Sequence, residues 1–276
     1  MSISKQQEIT QGISILQAHE LPPYECVHFD NKPIVLCCEH ASNKIPEQLN
    51  NLGLGEDFLE THIALDIGAG ELCKRVASQL GATAVYCNYS RLVVDCNRNL
   101  KDPTAFIPVS DHIIIPGNQN LDQNSQQQRA DAIYHPYHAK MAEELAKHVH
   151  DGKTPVLIAI HSFTPSLIDQ APRPWHVGIL WDKDPRIPEM LLSELQAEEG
   201  IIVGDNQPYS GKHFADYSMD HHAEKQGFAH VCIEVRQDLL QTEEGIQEWS
   251  LRLGRILNKV LQDKRHYHKL ESDSSE

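Results

Sequence analysis

Three stretches of this chain each carry an apolar run into side chains able to do chemistry. Leu157-Ile158-Ala159-Ile160 leads into His161-Ser162, Ile34-Val35-Leu36-Cys37-Cys38 into Glu39-His40, and Val231-Cys232-Ile233 into Glu234-Val235-Arg236. Ligands of an α/β sheet bind at the carboxyl ends of its strands, and neutral imidazole is the commonest side-chain metal ligand. Two imidazoles and a carboxylate at three strand ends point to metal-assisted hydrolysis. Catalytic zinc takes three protein ligands and keeps an open position, so His40 and His161 need a third donor. Asp66, following Ala64-Leu65, is the best candidate, although an Asp ahead of an amphipathic stretch also serves as an N-cap. Glu39 is the other candidate, but strand alternation aims it opposite to His40.

Glu234 ends an apolar run, and a carboxylate there must find a partner or line a site. Its functional reading is a general base toward water that later passes the proton to a leaving amine. Its plain reading is an ion pair with Arg236 or another arginine. A further polar cluster, Ser90 to Asn99, holds Arg91, Asp95, Asn97 and Arg98. Arginine grips carboxylates bidentately, so this cluster suits a clamp on a substrate carboxylate, or a bridge from arginine to Asp95.

The elements that must position these groups follow from periodicity. Residues 33–39, 82–88, 91–95, 155–160, 176–181 and 201–203 read as strands, with another ending at Glu234. Asp66 opens an amphipathic helix whose Ala69, Leu72, Cys73, Val76 and Leu80 share a face, and Gly81 stops it. Residues 97–125 read as a long loop, and helices are expected near 137–150, 186–199, 216–226 and 242–263. Alternating strands and helices predict an α/β fold: one domain around a central, mixed but mostly parallel sheet. The expected organisation is an N-terminal arm (1–30), a catalytic domain (31–263) and a charged, disordered tail (264–276).

The chain has 276 residues and a formal charge of −15, from 39 acidic and 24 basic residues, which argues against nucleic acid and against anionic membrane surfaces. No apolar run reaches membrane-spanning length, and Met1 to Gln11 has no signal-peptide core. Seven cysteines, an odd number without a Cys-x-x-Cys pair, read as reduced core thiols in a cytoplasmic protein.

Together the pieces resemble the N-formylglutamate amidohydrolase family over roughly residues 30 to 262. The resemblance rests on Glu39-His40-Ala41-Ser42, Asp66-Ile67-Gly68-Ala69, Tyr89 to Arg98, Tyr137-His138, Ile160 to Pro165, Tyr209-Ser210-Gly211 and Ile233 to Leu239. Several pieces are also similar to zinc carboxypeptidases. There a His-Ser strand end supplies a ligand, an Asn-Arg pair binds a terminal carboxylate, and a Glu-x-Arg strand end supplies the base. His161, Asn97-Arg98 and Glu234 match those three. Asn43 departs from the pattern, since the carboxypeptidases carry a ligand Glu there, and this moves the third ligand to Asp66.

The resemblance implies a zinc exopeptidase-like (phosphorylase/hydrolase-like) fold with one Zn2+ per chain on His40, Asp66 and His161. It implies Glu234 as general base and substrate contacts from Arg98, Asn97, Arg91, His138, Tyr209 and Ser210, with Lys212, His213 and His222 as further pocket candidates. The implied reaction is removal of the formyl group from a small-molecule N-acyl amino acid such as N-formyl-L-glutamate by zinc-activated water. A zinc deacylase or carboxypeptidase-like exopeptidase on another substrate, and a non-catalytic small-molecule-binding protein on the same fold, are the competing readings.

Overall fold

In the computed structural model, which describes residues 14–212 and 216–270, the apolar runs become the strands of one sheet. Along the chain the strands are β1 (Tyr24–His28), β2 (Ile34–Cys38), β3 (Thr83–Cys87), β4 (Val109–Ser110), β5 (Ile113–Ile114), β6 (Val156–Phe163), β7 (Val177–Leu180), β8 (Val203–Asp205) and β9 (His230–Arg236). The helices are α1 (Glu56–Leu59), α2 (Ala69–Leu80), α3 (Gln123–Arg129), α4 (His135–His150), α5 (Arg186–Gln196), α6 (Tyr217–His222) and α7 (Glu243–Val260).

The main sheet runs β1-β3-β2-β6-β9-β7-β8, and β4 and β5 form a separate hairpin. β3, β2, β6 and β9 are mutually parallel, β1 lies antiparallel on β3, and the parallel pair β7–β8 joins β9 antiparallel. The chain thus forms one α/β domain around a mixed, mostly parallel sheet flanked by helices. From β2 the chain moves outward to β3 through α2, then returns to β6 on the other side of β2. This reversal opens a crevice at the carboxyl ends of β2 and β6, the usual ligand position in such sheets.

Strand alternation divides the core into two faces. Leu36, Ile158, Ile160 and Ile233 pack with the apolar stripes of α2, α5 and α7. Val35, Leu157, Ala159 and Cys232 face α4 and α6 instead. In α2, Leu72, Cys73, Val76 and Leu80 are fully buried, and Gly81 closes the helix at φ 65° with its N–H on the Ala77 and Ser78 carbonyls. Truncating Leu72 to alanine removes core packing worth about 2–5 kcal/mol. All seven cysteines are free thiols. No helix among the described residues is long and apolar enough to cross a membrane.

Four expectations change. Arg91–Asp95 is a turn rather than a strand: Val93 N–H bonds the Ser90 carbonyl, and Asp95 is drawn into a polar network. Part of the N-terminal arm is structural, because β1 covers the β3 edge. The segment up to Leu270 is not a loose tail: His266 is fully buried, and Arg186 holds the carbonyls of Arg265 and His268. The long loop is shorter than 97–125, since helix begins at Gln123 behind an Asp122 cap and continues through a π-helical turn, Ala130–Tyr134, into α4. That turn lies just ahead of Pro136, whose missing N–H disrupts the regular ladder.

Candidate active site

Each site group is placed by a neighbouring element. His40 lies two residues past β2, in the turn that ends it. His161 sits within β6 rather than beyond it, and its register partner on β9 is Glu234. Odd positions of β6 and even positions of β9 share the face of Ala159 and Cys232, so His161 and Glu234 stand side by side. Asp66 is not a helix cap, because α2 begins after Gly68. Its segment is stitched to both strands instead. Asp66 N–H bonds the His40 carbonyl at 3.0 Å, and Ser162 Oγ donates to the Ile67 carbonyl at 2.8 Å.

These placements converge three donor atoms. Asp66 Oδ2 lies 2.8 Å from His161 Nδ1 and 3.3 Å from His40 Nδ1. The three ligand atoms all lie within 4.8 Å of one another, and all three residues are buried. The far nitrogen of each imidazole meets a second carboxylate. His40 Nε2 lies 2.8 Å from Asp95 Oδ1, while His161 Nε2 lies 3.1 Å from Glu39 Oε2, a contact off the line of a hydrogen bond. Glu39 therefore backs His161 and does not join the three donors. Asn43 turns away, donating to the Leu59 carbonyl and Glu60.

Two imidazoles and one carboxylate, buried and converging with both outer nitrogens against carboxylates, fit a divalent metal of the zinc type. A second group, Cys26, His28 and Glu144, also has convergent donors, but Lys140 and Lys147 both contact Glu144 at 2.7 Å. Its thiol is also pushed up to about 11 by burial and by Glu144, so it stays protonated.

The electrostatics separate Glu234 from the other acids. Burial alone would raise Asp66, but His40 and His161 outweigh it and hold its carboxyl well below the usual range. Burial likewise opposes the ionisation of Asp95, which Arg91 and His40 reverse. Glu234 keeps a pKa raised to about 7, because burial prevails and Asp66 adds to it against the opposing His161, His40 and Arg91. Its Oε2 is buried without a hydrogen-bond partner.

These groups open on a cleft of about 640 Å³. Its wall includes Asn97, Arg98, Tyr209 and Ser210 beside His40, Asp66, Arg91, His161 and Glu234. Arg91 spans Asp95 at 2.8 Å and Asp66 at 3.4 Å. Asn97 Oδ1 accepts from Ser218 N–H at 3.0 Å, tying it to α6. Tyr209 and Ser210 reach the cleft because their loop folds back over two glycines. A Cβ on Gly178 would stand 1.9 Å from the Gln207 carbonyl oxygen, and one on Gly204 would stand 2.8 Å from it.

His138 is not on the cleft wall. It lies in the core with Nε2 donating to the Cys96 carbonyl at 2.9 Å and Nδ1 2.9 Å from His222 Nε2. His222 is therefore also withdrawn. Lys212 lies over the Trp181 ring, and His213 falls outside the described residues.

Sequence reasoning missed His62 and Asp111, 3.2 Å apart on the cleft rim. It also missed Arg173, which touches the cleft residues Thr164 and Tyr209. The only signal for Arg173 was an arginine between two prolines soon after a strand.

Residues 32–241 match the sequence profile of the N-formylglutamate amidohydrolase family. The gene product Atu2144 from Agrobacterium tumefaciens has a similar structure, with a TM-score of 0.86 and 32% identity over 90% of this chain and 98% of that one. An N-formylglutamate amidohydrolase from Ralstonia eutropha JMP134 superposes with a TM-score of 0.67 over 89% of this chain and 99% of its own, at 20% identity. That second likeness speaks for the fold alone. No curated protein sequence matches the chain.

Proposed function

The chain belongs to the N-formylglutamate amidohydrolase family, whose name describes hydrolysis of an amide bond, and on that premise we propose that it is a metal-dependent deacylase. Its substrate in this reading is a small N-acyl amino acid such as N-formyl-L-glutamate, and its products are formate and the free amino acid. The observation that carries the reading is the convergence of His40 Nδ1, Asp66 Oδ2 and His161 Nδ1 beside Glu234, whose buried Oε2 has no hydrogen-bond partner.

His40, Asp66 and His161 would hold one divalent ion, zinc by donor type. When bound, such an ion supplies Lewis acidity, which polarises a carbonyl and makes water more acidic. Glu234 is the base. Its Oε2 takes a proton from the attacking water and returns it to the amine nitrogen as the C–N bond breaks. Burial raises the Glu234 carboxyl above the usual carboxylate range, and a divalent ion beside it would draw it back down toward a base that is ionised at neutral pH. Arg98, with Asn97 beside it, faces the α-carboxylate of the substrate. Arg91 holds Asp66 and Asp95 in place and lends positive charge to the developing oxyanion. Tyr209 and Ser210 close the wall, and His138 has no part, since both its ring nitrogens are engaged in the core.

The test combines elemental analysis with an assay of formate release. The reading expects about one zinc per chain, turnover of N-formyl-L-glutamate, loss of turnover on chelation and recovery on adding zinc. A protein that binds no divalent metal and releases no formate refutes it.

A further inference from the structure

The arginines beside the cleft are unevenly committed. Arg91 is already shared between Asp66 and Asp95. Arg173 makes no ion pair among the described residues, and its partners are neutral. Its Nη1 donates to the Thr164 carbonyl at 3.2 Å and to the Tyr209 hydroxyl at 3.0 Å. Its guanidinium lies 4.9 Å from the centre of the Tyr209 ring and 5.9 Å from that of Phe163. Phe163, Thr164 and Tyr209 are all cleft-wall residues. Both bonds use Nη1, and the Nε–Nη2 edge, which makes no hydrogen bond among the described residues, has the fork geometry that matches a planar carboxylate.

The placement is built. Arg173 N–H bonds the Pro165 carbonyl at 2.7 Å. Arg236, two residues beyond Glu234, points Nη1 at the carbonyls of residues 173, 174 and 175 at 3.3–3.4 Å. Asp238 fixes Arg236 in turn, at 2.7 Å. One strand end therefore carries the candidate base and anchors the segment that presents Arg173. The cleft wall also carries Asp66, Asp95, Asp111, Asp216 and Glu234. A second negative charge on a substrate entering among these acids needs a cation that no protein carboxylate has already balanced.

We propose that Arg173 is a specificity residue that binds a second, side-chain carboxylate of the substrate. In that role Arg173 is the group that tells a dicarboxylic N-acyl amino acid, the kind the family name describes, from a neutral one. This rests on the deacylase reading, in which Arg98 faces the α-carboxylate. Arg236 is a positioning residue for it.

The test uses binding, so that it does not depend on turnover. Zinc-loaded protein is titrated calorimetrically with L-glutamate and with L-norvaline, which has the same chain length but no second carboxylate. Wild type should bind glutamate about 10- to 100-fold more tightly, the range for a charge-assisted bidentate contact. Arg173→Gln should abolish the preference by weakening glutamate alone, and Arg173→Lys should restore part of it. Equal binding of both ligands by wild type overturns the proposal. So does a preference that survives Arg173→Gln, or an equal loss for both ligands, which would mark Arg173 as structural. Selective glutamate binding without formate release would sink the deacylase reading and leave this assignment standing.

Discussion

Replacing Gly178 with alanine should lower deacylase efficiency about 100-fold while leaving metal binding intact. Gly178 is the register partner of Glu234 on β9 and of Gly204 on β8. A Cβ there would stand 1.9 Å from the Gln207 carbonyl oxygen. An ordinary carbon–oxygen contact is roughly 3.3 Å, so the loop must retreat by about 1.4 Å. The obstacle is backbone, and it cannot rotate away as a side-chain tip would. The retreat carries Tyr209 and Ser210 with it and loosens the Arg173–Tyr209 contact. A misplacement of about 1 Å at a substrate-positioning group is worth roughly 100-fold in rate. Overpacking should also lower stability by about 1–3 kcal/mol, a fall in Tm of several degrees. The assays are kcat/KM for N-formyl-L-glutamate, thermal unfolding by circular dichroism, and zinc content. The proposed metal donors reside on β6 and on the segments after β2 and before α2, so zinc content should stay at the wild-type level. Wild-type kcat/KM in the variant, or loss of zinc together with activity, would refute the reasoning.

Three further outcomes follow from the same geometry. Glu234→Gln should cut kcat by about 10²- to 10⁴-fold with zinc stoichiometry unchanged, and a variant that keeps its kcat would remove Glu234 from the base role. Asp95→Asn should weaken zinc affinity by about 10- to 100-fold, because it disturbs the partner of His40 Nε2; competition with a fluorescent chelator measures this, and an unchanged Kd would contradict it. Burial first, with neighbouring imidazoles adding, pushes His138 down to about 3 and His222 down to about 4, against 6.5 in the unfolded chain. Between pH 6.5 and 4 the unfolded state therefore binds more protons, so these rings reduce stability as pH falls through that window, by about 2 kcal/mol each between pH 7 and 5. Urea unfolding of His138→Gln should lose correspondingly less stability over that interval, and a slope equal to wild type would show that the pair is not kept neutral.

The strands were legible because burial on both faces leaves long apolar runs, as at Ile34–Cys38 and Val156–Ile160. The amphipathic helices were legible for the related reason of one apolar stripe, as in α2. Residues 91–95 misled because Leu92, Val93 and Val94 are buried without being in a strand. Only the tertiary network around Asp95 shows that the chain turns there. At the site, His40, His161 and Glu234 announced themselves by interrupting apolar runs. Asp66 did not, since an Asp ahead of a helix has an ordinary explanation. Its approach to the two imidazoles depends on contacts across 26 and 95 residues of chain. Glu39 and Asp95 act from behind the imidazoles, a role with no local pattern. His138 looked promising by resemblance, yet its position inside the core follows from α4 packing rather than from its neighbours in sequence.

His161 and Ser162 are adjacent, point to opposite faces of β6, and hold the same short segment, one through Asp66 Oδ2 and the other through the Ile67 carbonyl. The third donor is thus tethered to the strand by bonds that need no ion. Where a metal must organise its own ligands, part of its affinity is spent on folding, and chelators unfold the protein. On the proposed reading, metal loading here would be an equilibrium separate from folding. The stripped chain should keep its architecture, take the ion up again reversibly, and gain stability only in proportion to the free ion concentration over its Kd. Which metal would occupy the proposed site then follows ion supply as much as ligand identity, and metal exchange would change the rate without passing through an unfolded protein.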